Sequence, residues 1–221
     1  MVKMRSLFFM KNLLTCPFLA VSIFKFELKP RAFQSEGMLN IMKLIQAQLK
    51  DKNTIMTILR DGSRQLAKQG IDQWQGDYPN ETQVLADIQA GHSYLYQTDA
   101  GQTVGSIAVA PSPDSSYDTL EGSWLVNTDS FAVIHRVAVL SECTGHGYAT
   151  TLLQSGINLI QAKHPHAASV RIDTHQHNQA MQHLINKLGF NQVGQISGVY
   201  TDADVSFVYE KPIRQLVGIA R

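Results

Sequence analysis

An α/β fold is expected, with a mixed central sheet flanked by helices in a single domain. Three observations point there. Strand-like and helix-like periodicities alternate from Ile41 onward. The run 132–140 carries apolar groups on both faces, as a central strand does. A glycine-spaced turn follows it and leads into a strongly amphipathic helix. The composition agrees. A chain of 221 residues with 44% hydrophobic and 17% charged residues is ordinary for a globular protein. It excludes a disordered chain, a collagen-like repeat and a disulfide-stapled mini-domain. Lys+Arg (19) nearly balances Asp+Glu (18) with no long basic run, so no nucleic-acid partner is expected. Cys16 and Cys143 have no CxxC neighbour. That excludes a zinc knuckle or a redox pair, and two free thiols fit a reducing cytoplasm.

Residues 1–40 differ from the rest. Lys3, Arg5 and Lys11 precede an apolar stretch over 13–24, as in the first two regions of a signal peptide. Thr15, Pro17 and Ser22 interrupt that stretch, and no small-x-small cleavage site follows it. It is also shorter than the roughly 20 apolar residues a membrane span needs. An extension upstream of a start at Met38 or Met42 accounts for the segment better. The expected domain is therefore 41–213, with a tail at 214–221, no membrane association and a cytoplasmic location.

The elements follow in order. Over 41–49 the spacing of Ile41, Met42, Leu44, Ile45 and Leu49 fits a helix as well as a strand. Residues 51–69 place Ile55, Ile58 and Leu59 on one helical stripe that stops at Gly70. A short helix over 82–90 ends at Gly91. Strands at 93–97 and 103–110, joined by Asp99-Ala100-Gly101, predict a hairpin. The stretch 111–122, rich in Pro, Ser and Asp, is expected to be loop. After the central strand, Ala149, Leu152, Leu153, Gly156, Ile157 and Ile160 form one helical face, with Pro165 beyond its end. A strand is expected at 169–174. Asn178 suits the N-cap of a second helix, with Met181, Leu184, Ile185 and Leu188 on one face and Gly189 as terminator. The last strand is expected at 205–209.

The chemistry concentrates where the central strand meets its helix. Gly145 and Gly147 let backbone N–H groups turn toward an anion, and the helix N-terminus adds partial positive charge. Together they make a candidate pyrophosphate cradle, although a lone Gly-x-Gly fits an ordinary tight turn equally well. The Lys-Ser/Thr of a phosphate-binding loop and a complete dinucleotide fingerprint are both missing.

Thr144-Gly145-His146-Gly147-Tyr148-Ala149 resembles the R/Q-x-x-G-x-G/A loop of the GNAT superfamily of acetyl-CoA-dependent N-acetyltransferases. It lies five residues after Val137-Ala138-Val139, where the family also places it. The run from Asn178 to Gly189-Phe190 resembles the family's second motif, and Val208-Tyr209-Glu210-Lys211 its last strand. The resemblance covers about 41–213. Ile71-Asp72-Gln73-Trp74 and Tyr78-Pro79 further resemble bacterial members of unassigned substrate.

The resemblance implies a mostly antiparallel sheet that opens with a strand and then a helix, which favours a strand at 41–49. It implies acetyl-CoA as co-substrate, without a metal. The backbone of Val137, Ala138 and Val139 would pair with the pantetheine arm. The amides of Gly145, His146, Gly147, Tyr148, Ala149 and Thr150 would hold the pyrophosphate, and Asn178 would reach the pantetheine or the adjacent chain. Transfer would go directly to an amine of a small molecule or peptide. Two departures stand out. Cys143 and Thr144 replace a clear Arg or Gln start, and Ile185 stands where many members carry a tyrosine that reprotonates the coenzyme A thiolate. The proton donor is therefore open.

An amine must lose a proton before it attacks. A lysine amine is neutral in roughly one molecule in 2,500 at pH 7, and an α-amine in about one in six. A base or a water chain is needed. His135 on the central strand and Asp173 at the end of the next are the candidates. Each also has a structural reading, as a hydrogen-bonded strand histidine and a strand-end carboxylate. His175, His177 and His183 lack a third ligand at metal-binding spacing, so surface polarity is expected for them. Trp74 and Tyr78 suit the core and an acceptor pocket about equally. Cys143 lacks a paired base and is expected in the cofactor loop. A non-catalytic acyl-CoA-binding module is the alternative function. Oligomeric state is open, a homodimer being one option.

Overall fold

The computed structural model describes residues 42–199 and 204–213, so the expected extension and tail lie outside the described residues. The strands are β1 (Lys43–Gln46), β2 (Ser93–Gln97), β3 (Thr103–Pro111), β4 (Glu121–Gly122), β5 (Phe131–Val139), β6 (Ser169–His175), β7 (Asn191–Ser197) and β8 (Val205–Pro212). The helices are α1 (Lys52–Ala67), α2 (Glu81–Gln89), α3 (Tyr148–Lys163) and α4 (Gln179–Lys187). One sheet runs in the order β1-β2-β3-β5-β6-β8-β7-β4. Among the described residues only β5 and β6 pair in parallel. Helices α1 and α2 bury Ile55, Ile58, Leu59, Val84 and Ile88 with Leu95 and Ala138. Helices α3 and α4 bury Leu152, Leu153, Ile157, Ile160, Leu184 and Ile185 against Ile107, Ile134 and Val170. Each such side chain contributes about 1.5–3 kcal/mol relative to exposure.

Three expectations are corrected. The strand expected over 41–49 is confined to β1, and Leu49–Asp51 is a 3₁₀ turn in which the Asp51 carboxylate accepts the Gln48 N–H at 2.9 Å. The loop expected over 111–122 contains a 3₁₀ turn, Ser115–Tyr117, and the short β4. Strand β7 was not expected at all. Its residues are mostly polar, with Ile196 as its one fully buried side chain, so alternation is faint. Pairing with β8 and β4 makes it a strand, and the approach to β4 is glycine on glycine, Gly122 opposite Gly194.

Two features of β5 shape the site. Ser106 pairs with Ala138 and Ala108 with His135, so Ile107 alone faces Arg136 and Val137. This is a β-bulge, and Arg136 takes φ 50° there. The bulge reverses the alternation. Ile134, Val137 and Val139 pack toward α3, while Val133 and Ala138 pack on the opposite face. The second feature is a fork. β5 and β6 pair only from Phe131–Ser169 to Val133–Arg171, and beyond that the strands part.

At the closed end of the fork, the fully buried Glu210 accepts from Ser169 Oγ (2.6 Å), Leu125 N–H (2.6 Å) and Val126 N–H (3.1 Å). Arg171 contacts Glu210 at 3.3 Å, its guanidinium 3.5 Å from the Trp124 ring centroid and 3.6 Å from that of Phe131. The segment between β4 and β5 is thereby tied to the sheet.

Gly105 of β3 allows the close approach to β5. A Cβ there would lie 2.5 Å from the Ala138 carbonyl oxygen and 3.3 Å from Leu152 and Val139 side-chain atoms. Gly105→Ala should destabilise by about 1–3 kcal/mol. In a domain of this size that is a fall in Tm of roughly 2–4 °C per kcal/mol, read from a thermal melt. An unchanged melting curve would show that β3 and β5 adjust freely.

Candidate active site

Beyond β5, Gly145 (φ 82°) and Gly147 (φ 76°) take left-handed conformations that side chains rarely adopt. Gly147 is the N-cap of α3, and no side chain caps that end. Thr151 N–H already bonds the Gly147 carbonyl at 3.2 Å, which leaves the first-turn N–H groups of Tyr148, Ala149 and Thr150 without helical acceptors. Nothing lies within 4 Å of a Cβ built on Gly145 or Gly147, so the space before the turn is open. His146 Nδ1 lies 2.9 Å from the Thr144 carbonyl oxygen, and its ring stacks on Tyr148. The turn is anchored from α1. Asp61 accepts the Ser141 N–H at 2.6 Å and the Ser141 hydroxyl at 3.1 Å. Burial opposes its ionisation, but these bonds and those from Arg64 and Gln65 hold its carboxyl below the usual range.

A cleft runs from this turn along the open fork. Trp74, Tyr78, His135, Val137, Ala138, Val139, Ala149, Asp173 and Asn178 all line it. Leu140 N–H bonds Val104 on β3, so by strand alternation the backbone groups of Val139 and Val137 face the cleft. The backbone of Ala138 is directed to β3 at Ser106. The Val139 carbonyl already accepts from Gln65 Nε2 at 2.9 Å. The first-turn N–H groups of α3 could hold an anion, and the cleft-facing backbone of Val137 and Val139 an amide-bearing arm. Asn178 Oδ1 caps α4 through Met181 N–H (3.1 Å), and its Nδ2 donates to Gln73 at 2.8 Å.

The far end of the cleft meets a second one, and both are lined by Tyr78, His135, Arg136 and Asp173. His135 Nε2 lies 2.9 Å from Asp114 Oδ2. Burial opposes Asp114 ionisation, but the histidine contact and Ser116 outweigh it, holding the carboxyl far below its usual range. An ionised carboxylate only accepts, so Nε2 carries the hydrogen and a neutral His135 keeps its lone pair on Nδ1. Tyr117 Oη donates to Asp173 Oδ1 at 3.1 Å. Arg136 donates from Nη1 to Tyr78 Oη (2.7 Å) and from Nη2 to Asp87 Oδ1 (2.8 Å). Its Nε lies 2.7 Å from Asp87 Oδ2 without hydrogen-bond alignment. Burial pushes the Tyr78 phenol up, with the Arg136 charge opposing. Trp74 packs among Ile55, Leu59 and Ala138 and also lines the first cleft.

One side chain is placed differently from expectation. His175, expected at the surface with His177 and His183, is 3% exposed because it ends the interior strand β6. His177 and His183 are exposed. Cys143 ends the turn that leads into Gly145, with its thiol in the core, and burial pushes that thiol up. Ile185 is fully buried. Asp114, Tyr117, Arg136 and Asp87 were missed. Their partners lie 21 to 58 residues away, where no local spacing signals them. Among the described residues no group of three or more metal-ligating side chains is assembled, and no helix is long and apolar enough to cross a membrane.

A comparison with curated protein sequences finds no match. Among solved structures, a GNAT-family acetyltransferase from Streptococcus agalactiae is 32% identical with a TM-score of 0.68, over 78% of this chain and 96% of that one. The NatC complex bound to Gag peptide and CoA shares the fold at 16% identity and a TM-score of 0.57, over 78% and 99%. Arabidopsis thaliana NAA60 in complex with a bisubstrate analogue does so at 13% and 0.57, over 79% and 99%. The model of the acetyltransferase (GNAT) family matches residues 57–190, which span the fork, the glycine turn and α4. The chain therefore belongs to the acetyltransferase (GNAT) family, whose members take their acetyl group from acetyl-CoA.

Proposed function

We propose that the protein transfers an acetyl group from acetyl-CoA directly to a primary amine of a small molecule or peptide, with no acyl-enzyme. One observation carries this reading. The cofactor cleft and the second cleft meet at a carboxylate-held histidine. Bound acetyl-CoA supplies a thioester carbonyl. Residues 145–150 would hold its pyrophosphate and the backbone of β5 its arm, and as the amine nitrogen bonds the carbonyl carbon the thioester C–S bond would break and coenzyme A leave as the thiolate. His135 Nδ1 accepts the amine proton, directly or through water, while Asp114 orients the ring and stabilises it once protonated. Asp173 is the second candidate base. Tyr78 walls the place where the two clefts join, and Trp74 lines the first of them. The buried thiol of Cys143 supports direct transfer.

The NatC and NAA60 structures, with a peptide and a bisubstrate analogue, lend weight to an amine acceptor. The reading confines the work to residues 41–213. It is tested by incubating the protein with acetyl-CoA and a panel of alkylamines, spermidine, free lysine and short peptides, then measuring free coenzyme A and acetylated products by mass spectrometry. An acetylated amine is expected. Tight acetyl-CoA binding with no product from any amine would favour a non-catalytic binding module instead.

A further inference from the structure

The strand register gives the fork a defined geometry at its opening. Extending the Val133–Arg171 pairing by two residues sets His135 opposite Asp173, just where β5 and β6 have parted. The Ser115–Tyr117 turn reaches both. Asp114 caps the turn through Ser116 N–H at 2.9 Å and holds His135 with its other oxygen. Three residues on, Tyr117 bonds Asp173 through its hydroxyl, and its ring lies nearly parallel to the His135 ring, 15° apart with centroids at 6.4 Å. Tyr117 itself is 5% exposed and packs edge-on against Trp124 at 5.7 Å.

Resting on the N-acetyltransferase reading, we propose that Tyr117 is a positioning residue. It spans the opening between β5 and β6 and fixes the Asp173 carboxylate and the His135 ring relative to each other for the incoming amine. Strand pairing cannot do this, because it ends at Val133 and Arg171. The phenol O–H fixes one Asp173 oxygen, and the ring face limits rotation of the imidazole. A misplacement of about 1 Å at a reacting centre can lower a rate by about 10²-fold, so such a brace has a measurable effect.

Tyr117→Phe keeps the ring and removes only the O–H. With the best amine of the panel, kcat should fall about tenfold, while acetyl-CoA affinity by calorimetry and Tm stay unchanged. The loss should vanish when Tyr117→Phe is made in an Asp173→Asn background, because the hydroxyl acts through that carboxylate. In the free protein, the Asp173 carboxyl ¹³C resonance should move on Tyr117→Phe. An equal loss in the Asp173→Asn background, or an unmoved resonance with unchanged kcat, overturns the role. A wild-type protein that binds acetyl-CoA and acetylates no amine overturns the function and this role with it. An active wild type with additive variants overturns the role alone.

Discussion

Turnover is expected to fall by about 10²–10⁴ in His135→Gln with acetyl-CoA affinity nearly retained, because the substitution removes the proposed base at similar volume. Asp114→Asn should give a smaller loss in the same parameter. The amide can donate as well as accept, so the hydrogen no longer has to sit on Nε2 and Nδ1 is no longer always the basic nitrogen. The Asp114 carboxyl is held far below the usual range in the folded protein, so its contribution to stability is complete above the unfolded value of about 3.9 and is lost only as pH falls below it. Steady-state kinetics of the two variants and an acid-unfolding curve check these points. Near-wild-type turnover in His135→Gln with loss in Asp173→Asn would move the role to Asp173. If both variants stay active, the protein works by positioning an amine that is already neutral, which favours acceptors of low pKa.

The second large effect is at the cradle. Gly147→Val should weaken acetyl-CoA binding by roughly 10–100-fold, since each tenfold is about 1.4 kcal/mol and hydrogen bonds to charged groups are worth about 1.5–3 kcal/mol. At φ 76° any side chain also strains the backbone by about 1–2 kcal/mol, so stability falls as well. Gly101→Val separates the two effects. Gly101 has φ 79° in the β2–β3 turn, with nothing within 4 Å of an added Cβ, as at Gly147. Both variants should lose similar stability, and only Gly147→Val should lose affinity in a calorimetric titration. Equal affinities would place the pyrophosphate elsewhere.

What was legible in the sequence was local. Helix α3 declared itself through six apolar positions on one face, and the Gly145/Gly147 spacing declared the turn before it. The strand–turn–helix order then located the cleft. What was not legible depends on distant contacts. β7 exists because β8 and β4 pair with it. The bulge at Arg136 cannot be seen in a run of apolar residues, yet it puts Val133 and Ala138 on one face despite their odd separation. The 111–122 segment looked like plain loop because its Asp114 and Tyr117 find their meaning only in His135 and Asp173.

Arg171, clasped by Trp124, Phe131 and Glu210, has a consequence for preorganisation. Because Glu210 takes the Leu125 and Val126 N–H groups, the irregular chain between β4 and β5 loses its conformational freedom when the protein folds, not when a substrate arrives. Trp124 on that chain packs edge-on against Tyr117, which bonds Asp173. The ordering entropy of this backing is thereby lost once, in folding, and is not lost again at each binding event.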